Sequence, residues 1–245
     1  MQPIPKNIVT RFLNTSPKFQ NILKEALAQQ KKEAATRTIV SDMLAEILGY
    51  DKYNDIIFDL IDTDEKRDLV IALNGKHLFP VEIVSVGSEL KKGLLRETKI
   101  FALDQGLDWV VYTNGIEWHI YRIDPNAALS MEQVLQLNFL KMSFRTPDEQ
   151  YLLYLLSKEG FRNNAIHAYY QRMQIVNPYT ASVMLQEDWV AEKIAVELKK
   201  LCPNLLIEPE EITEIILTKV LREEVTTGKA FNNAKFTIQK LSRQS

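Results

Sequence analysis

With a single cysteine, three histidines and eight glycines in 245 residues, the sequence lacks the means for several chemistries. Cys202 has no partner for an internal disulfide and reads as a small apolar residue. His77, His119 and His167 lie far apart, and no Cys/His cluster has zinc spacing. So few glycines leave no long flexible linker, and no repeat or low-complexity tract interrupts the chain. No run approaches the roughly 18 consecutive apolar residues of a membrane helix. The opening MQPIPKNIVTRFLN lacks a signal peptide's apolar block and cleavage site, so a cytoplasmic protein with no membrane partner is expected. There is no GxxxxGKS/T loop, which argues against ATP as a ligand. Neither sign of charge dominates: 30 basic against 32 acidic residues give a net charge of -2, so any nucleic-acid contact must come from a local patch.

What is present is an ordinary globular composition, 46% hydrophobic and 25% charged. From Ser16 to about Leu48 apolar residues recur at three and four, which predicts one long or two consecutive amphipathic helices ended by Gly49. The period then changes. IIFDLI (56–61), DLVIALN (68–74), HLFPVEIVSV (77–86), DWVVYTN (108–114) and IEWHIYRI (116–123) read as strands. Asn74-Gly75 and Asn114-Gly115 are hairpin signals between them, and 88–106 has the spacing of a crossover helix. After Pro125 the strand signals stop. Helical segments are predicted at about 147–158, 162–174, 178–200 and 209–224. The expected organisation is an α/β domain over 1–145, a mixed sheet flanked by helices, followed by an all-helical region over 146–245.

Within HLFPVEIVSV a carboxylate, Glu82, interrupts an apolar run, and burying it costs several kcal/mol unless something pairs with it. Strand alternation puts Glu82 and Val84 on one face. Asp68 opens the preceding strand, and the Asn74-Gly75 turn makes the two strands antiparallel neighbours, so the carboxylates can converge at one end of the sheet. A hard divalent cation such as Mg²⁺ is held by one or two carboxylates plus a substrate phosphate, and suits phosphodiester hydrolysis. The plainer alternative is that Asp68 merely starts a strand and Glu82 is edge-exposed. Trp109 and Trp118, in the last two strands, read as core residues.

The ordered series LGYD (48–51), KRDLVIALNGKHLFPVEI (66–83), ETKIFA (97–102) and DWVVYTNGIEWHIYRI (108–123) resembles the N-terminal domain of type I restriction enzyme R subunits. The resemblance covers roughly 17–124 and implies the PD-(D/E)xK nuclease fold, restriction-endonuclease-like. Position by position, the family's helix glutamate falls on Glu33, its strand-start aspartate on Asp68 and its motif glutamate on Glu82. These imply a catalytic set Glu33, Asp68 and Glu82, with Asp68 and Glu82 as Mg²⁺ ligands. Three further positions depart: the motif lysine falls on Val84, and the helix Q-x-x-x-Y falls on Glu97 and Phe101. In this family the lysine is thought to orient the attacking water and stabilise the phosphorane, and valine does neither. Losing a positioned group of this kind costs on the order of 10² to 10³ in rate.

Two cations could substitute, Lys66 two residues before Asp68, and Arg37 one helical turn after Glu33; Arg37 could equally be a surface i,i+4 partner of Glu33. Lys92, Arg96 and Lys99 form a basic stripe that is either a solvated face or a contact for DNA backbone. The expectation is a catalytically weakened or inactive nuclease-fold protein acting as a DNA-binding or protein-interaction module. The alternative is an active Mg²⁺-dependent DNA endonuclease with a relocated cation. The helical region is expected to supply a homo-oligomer contact or a protein-partner surface.

Overall fold

The computed structural model describes residues 3–62, 65–123 and 131–242, apart from the side chains of 59–67, 92, 94 and 240–242. Two helices come first, α1 (Lys6–Ala28) and α2 (Glu33–Glu46). The first starts at Lys6, ahead of the expected Ser16, and buries Ile8, Phe12, Phe19, Leu23 and Ala26 along one stripe. Five strands follow where the sequence predicts them: β1 (Ile56–Asp62), β2 (Glu65–Leu73), β3 (Lys76–Ile83), β4 (Trp109–Thr113) and β5 (Glu117–Ile123). A sixth, β6 (Met131–Asn138), was not expected. The sheet runs β1-β2-β3-β4-β5-β6 and is mixed, with β3 and β4 parallel and every other neighbouring pair antiparallel.

Asn74 and Gly75 both have positive φ, 53° and 78°, the two-residue turn whose twist matches that of the flanking strands. At the second hairpin the loop is longer, and the Asn114 side chain holds it by accepting from the Ile116 and Glu117 N–H groups at 2.9 and 2.7 Å. Between β3 and β4 the helix is shorter than 88–106. A 3₁₀ turn at Lys92–Leu95 leads into α3 (Arg96–Asp104), whose buried face is Thr98, Phe101 and Ala102.

The alternation of β6 is broken. Ile120 pairs with Leu135 but Tyr121 with Gln133, so Val134 is an extra residue, and Val134 and Leu135 are both buried in place of a clean alternation.

One face of the sheet carries Val70, Val110, Tyr112 and Tyr121, packed with Leu95, Phe101 and Ala102 from the crossover. Met43, Ile47 and Leu48 at the end of α2 meet Trp118 and Leu137 of the sheet together with Leu153 and Leu156 of α4 (Pro147–Leu156). Trp109 and Trp118 are buried, as expected of core residues.

The chain divides into two compact units, one ending at Ile166 and the other beginning at His167. The first therefore includes α4 and α5 (Lys158–Arg162), which follow the boundary expected near 145. The division falls within α6 (Ala165–Ile175). The second unit contains α7 (Pro178–Leu185), α8 (Asp188–Leu201), α9 (Pro209–Ile215), α10 (Glu223–Thr226) and α11 (Gly228–Ser242), the last beyond the predicted helices. One apolar cluster of this unit is formed by Ala191, Ala195, Ile212 and Ile216. Cys202, read as a small apolar residue, is exposed at the end of α8. No helix among the described residues is long and apolar enough to cross a membrane.

Candidate functional site

The predicted carboxylates stand on one face of the sheet, where the β2–β3 ladder ends. Leu69 pairs with Val81, which sets Asp68 opposite Glu82 on the face that also carries Val70 and Tyr112. Asp68 Oδ2 accepts the Ile83 backbone N–H at 3.2 Å. Its other oxygen, Oδ1, lies 2.8 Å from Nη2 of Arg37, which reaches the sheet from α2. Glu82, half-buried, accepts the Thr98 hydroxyl at 2.5 Å on Oε2. Thr98 is fully enclosed on the inner side of α3. Tyr112 is paired with Glu82 across the parallel strands. Burial pushes its hydroxyl above the ordinary phenol range; the Lys91 backbone works the other way, and the charge of Glu82 adds to the rise.

The other predicted positions divide. Val84 is half-buried and packs against the apolar cluster that includes Phe101 and Tyr112. Phe101 is buried in that cluster, whereas Glu97, one position before Thr98, faces solvent in the first turn of α3. Glu33 is exposed in the first turn of α2. Among the described residues no group of three His, Cys, Asp or Glu side chains could hold a metal ion. Along the basic stripe Arg96 is exposed and Lys99 half-buried, and burial lowers the Lys99 ammonium from its usual range. The side chains of Lys66 and Lys92 lie outside the described residues.

Sequence reasoning missed Thr98 and Tyr112. Each had a signal: Thr98 is three residues before Phe101, on the helix face that must cover the sheet, and Tyr112 is a polar-tipped aromatic that follows the apolar run Trp109-Val110-Val111. It also missed what LGYD does. The Leu48 carbonyl accepts the Lys158 N–H at 2.9 Å. Gly49 turns the chain at φ +82° against the guanidinium of Arg11. The buried Tyr50 hydroxyl donates to the Leu156 carbonyl at 2.9 Å. Asp51 Oδ1 accepts the N–H groups of Tyr53 and Asn54 at 2.9 and 2.8 Å, which lower its pKa.

Two ion pairs close the same junction. Arg11 is bidentate on Glu159 at 2.8 and 2.7 Å while its Nε donates to the Ile47 carbonyl at 2.8 Å. Lys158 pairs with the buried Asp55. These groups join α1, the end of α2, α5 and the approach to β1, and none of them lies at the Asp68–Glu82 end. A depression of about 560 Å³ at the other end of β3, lined by residues including Lys76, His77, Trp109 and Asn164, contains none of the predicted site residues.

No family model matches the chain, and neither a curated protein nor a solved structure matches it.

Proposed function

We propose that this is a nuclease-fold protein of the type I restriction R-subunit N-terminal kind, in which cutting has been lost and the carboxylate end of the sheet holds DNA by its backbone. The observation that carries the reading is Val84. It stands on the face of Asp68 and Glu82, two residues beyond Glu82, and its side chain is packed into the apolar cluster of Phe101 and Tyr112. A transition state at this end would find an isopropyl group where the family supplies an ammonium, and electrostatic groups are usually the largest catalytic contribution.

Lys91 and Arg96, exposed on the approach to α3, and Lys99 on that helix supply the local positive charge that phosphate contacts require. DNA binding is measured by fluorescence anisotropy on a short duplex at low salt. We expect affinity that falls steeply with salt and falls at least about tenfold in Arg96→Glu/Lys99→Glu, with no plasmid nicking in Mg²⁺ or Mn²⁺. Nicking by the natural chain that is lost in Glu82→Gln would overturn this and support the active endonuclease, for which the Arg37–Asp68 pair is the favouring observation.

The second unit supports a protein-interaction role as well. Trp189, Leu201, Leu206 and Phe236, large apolar side chains of this one unit, are 56 to 80% exposed. We assign the occupant of this surface to a second copy of the chain. Glu208, Glu210 and Glu211 at the start of α9 and Lys229 and Lys235 on α11 give one unit both signs of charge, which a two-fold contact would match. Light scattering on the eluting protein should give twice the monomer mass; a monomer at micromolar concentration would overturn the assignment.

A further inference from the structure

We infer that Arg37 is the resident cation of this site: its guanidinium takes the position at Asp68 that a divalent metal would need, and removing it turns Asp68 and Glu82 into a divalent-cation site. This rests on the carboxylate pair invoked above but not on DNA binding, and the two are measured separately.

The geometry is specific. Arg37 Nη2 is 2.8 Å from Asp68 Oδ1, and the two side chains are only 24% and 13% exposed, so water screens the pair weakly. Asp68 Oδ2 is engaged by the Ile83 N–H, and Glu82 Oε2 by the Thr98 hydroxyl. One oxygen of each carboxylate is thus held by a neutral donor, and Asp68 is also paired with the Arg37 guanidinium. Asp68, Glu82 and Arg37 together carry one net negative charge. A divalent cation added to them would leave a net positive charge in a half-buried position and would sit against the guanidinium. With Arg37 gone the two carboxylates carry a double negative charge, which a divalent cation neutralises, and hard cations seek such oxygen pairs. The Thr98 and Ile83 donors remain to hold the oxygens in their present positions. The donor set of the natural chain therefore does not fit a resident Mg²⁺, and Arg37 is the side chain through which the misfit is tested.

Mn²⁺ is the probe, because its free form is read directly by electron paramagnetic resonance. The natural protein should show no saturable site below about 1 mM, while Arg37→Met, which keeps the apolar stem, should bind one Mn²⁺ at least about 100-fold more tightly. Arg37→Met/Glu82→Gln and Arg37→Met/Asp68→Asn should lose that binding. Arg37→Lys, which keeps the charge, should stay closed to the metal, and this separates charge from packing. Circular dichroism checks that each variant is folded. If Arg37→Met is too unstable to titrate, melting with and without Mn²⁺ replaces the titration. The metal should then raise the melting temperature of the variant and not that of the natural chain. The inference is overturned if the natural chain binds one Mn²⁺ in the micromolar range through Asp68, or if Arg37→Met shows neither binding nor a melting shift. DNA anisotropy without metal is unaffected by either result, so failure here leaves the reading of the basic stripe intact.

Discussion

Substituting alanine for Gly49 tests the junction that fixes α2, and with it Arg37, against the rest of the first unit. Gly49 has φ +82°, a conformation that costs an L side chain about 1–2 kcal/mol. A Cβ there would also stand 2.6 Å from Nη1 and 2.8 Å from Cζ and Nη2 of Arg11. The guanidinium is the end of a flexible side chain, but it is not free to move cheaply. It is bidentate on Glu159, and its Nε holds the Ile47 carbonyl. Hydrogen bonds to charged groups contribute about 1.5–3 kcal/mol when buried; the partial exposure of this pair, 25% and 31%, argues for about 1–2 kcal/mol in all. Gly49→Ala should therefore cost roughly 2–4 kcal/mol, on the order of 10 °C in melting temperature for a unit of this size. The decisive comparison is a double-mutant cycle with Arg11→Met, measured by urea unfolding. In that background only the backbone strain remains, so Gly49→Ala should cost about 1–2 kcal/mol and the coupling should be about 1–2 kcal/mol. Equal costs in the two backgrounds would show that the guanidinium and the glycine do not share the space the structure gives them.

Val84→Lys would install the E-x-K pattern of the family the sequence resembles, but the side chain it replaces is packed against the apolar cluster that includes Phe101 and Tyr112, and Arg37 is still paired with Asp68. A loss of about 1–3 kcal/mol is expected with no gain of plasmid nicking; Mg²⁺-dependent nicking by this variant that vanishes on adding Glu82→Gln would refute the argument. Glu149→Gln addresses pH. Burial works to raise the Glu149 carboxyl, but the Ser143 hydroxyl and N–H and the Thr146 hydroxyl and N–H outweigh it and bring the pKa from 4.5 down to about 2. Because the folded value is depressed, the stabilisation is fully present above the unfolded value of 4.5 and is lost as pH falls through about 2. The variant should melt below the natural protein by an amount equivalent to about 1 kcal/mol at neutral pH, and the gap should close between pH 4.5 and 2. A gap that stays constant to pH 2 would mean that the capping box draws nothing from the charge.

Much of the sheet was legible because its strands are short, apolar and punctuated, and because turn residues announce their geometry. The contacts that decide the site were not. Arg37 could be read as a partner of Glu33 or as a substitute cation, since spacing along a helix says which residues are neighbours and nothing about which sheet carboxylate lies within reach. On α3 a rotation of one residue exchanges the exposed carboxylate of Glu97 for the buried hydroxyl of Thr98, which spacing alone does not resolve. The Arg11–Glu159 pair joins residues 148 positions apart, and no local period carries such information. LGYD, met first as part of a resemblance, has physical reasons of its own in a turn, a buried hydroxyl and a junction.

Asp68 and Glu82 share one face of neighbouring antiparallel strands, although the hairpin alone would not have produced this. A regular two-residue turn at Asn74-Gly75 pairs Leu73 with Lys76 and Ala72 with His77. Continued without interruption, that register would set Asp68 against Val81, and Glu82 would fall on the opposite face, since a slip of one residue exchanges the faces of a strand. Instead Ile71 pairs with Phe79, so Leu78 is an extra residue and the register shifts by one. Beyond this bulge Leu69 faces Val81, and Asp68 comes opposite Glu82. The sequence did hold a cue in Pro80. Proline cannot donate to the ladder and is found within sheets chiefly at edges and bulges, so a proline in a strand with neighbours on both sides signals an irregularity close by. The site thus depends on the bulge as much as on its acids. Deleting Leu78 to restore the regular hairpin should turn Glu82 away from Asp68 and Arg37, whereas changing Leu78 to another residue should leave the pair in place.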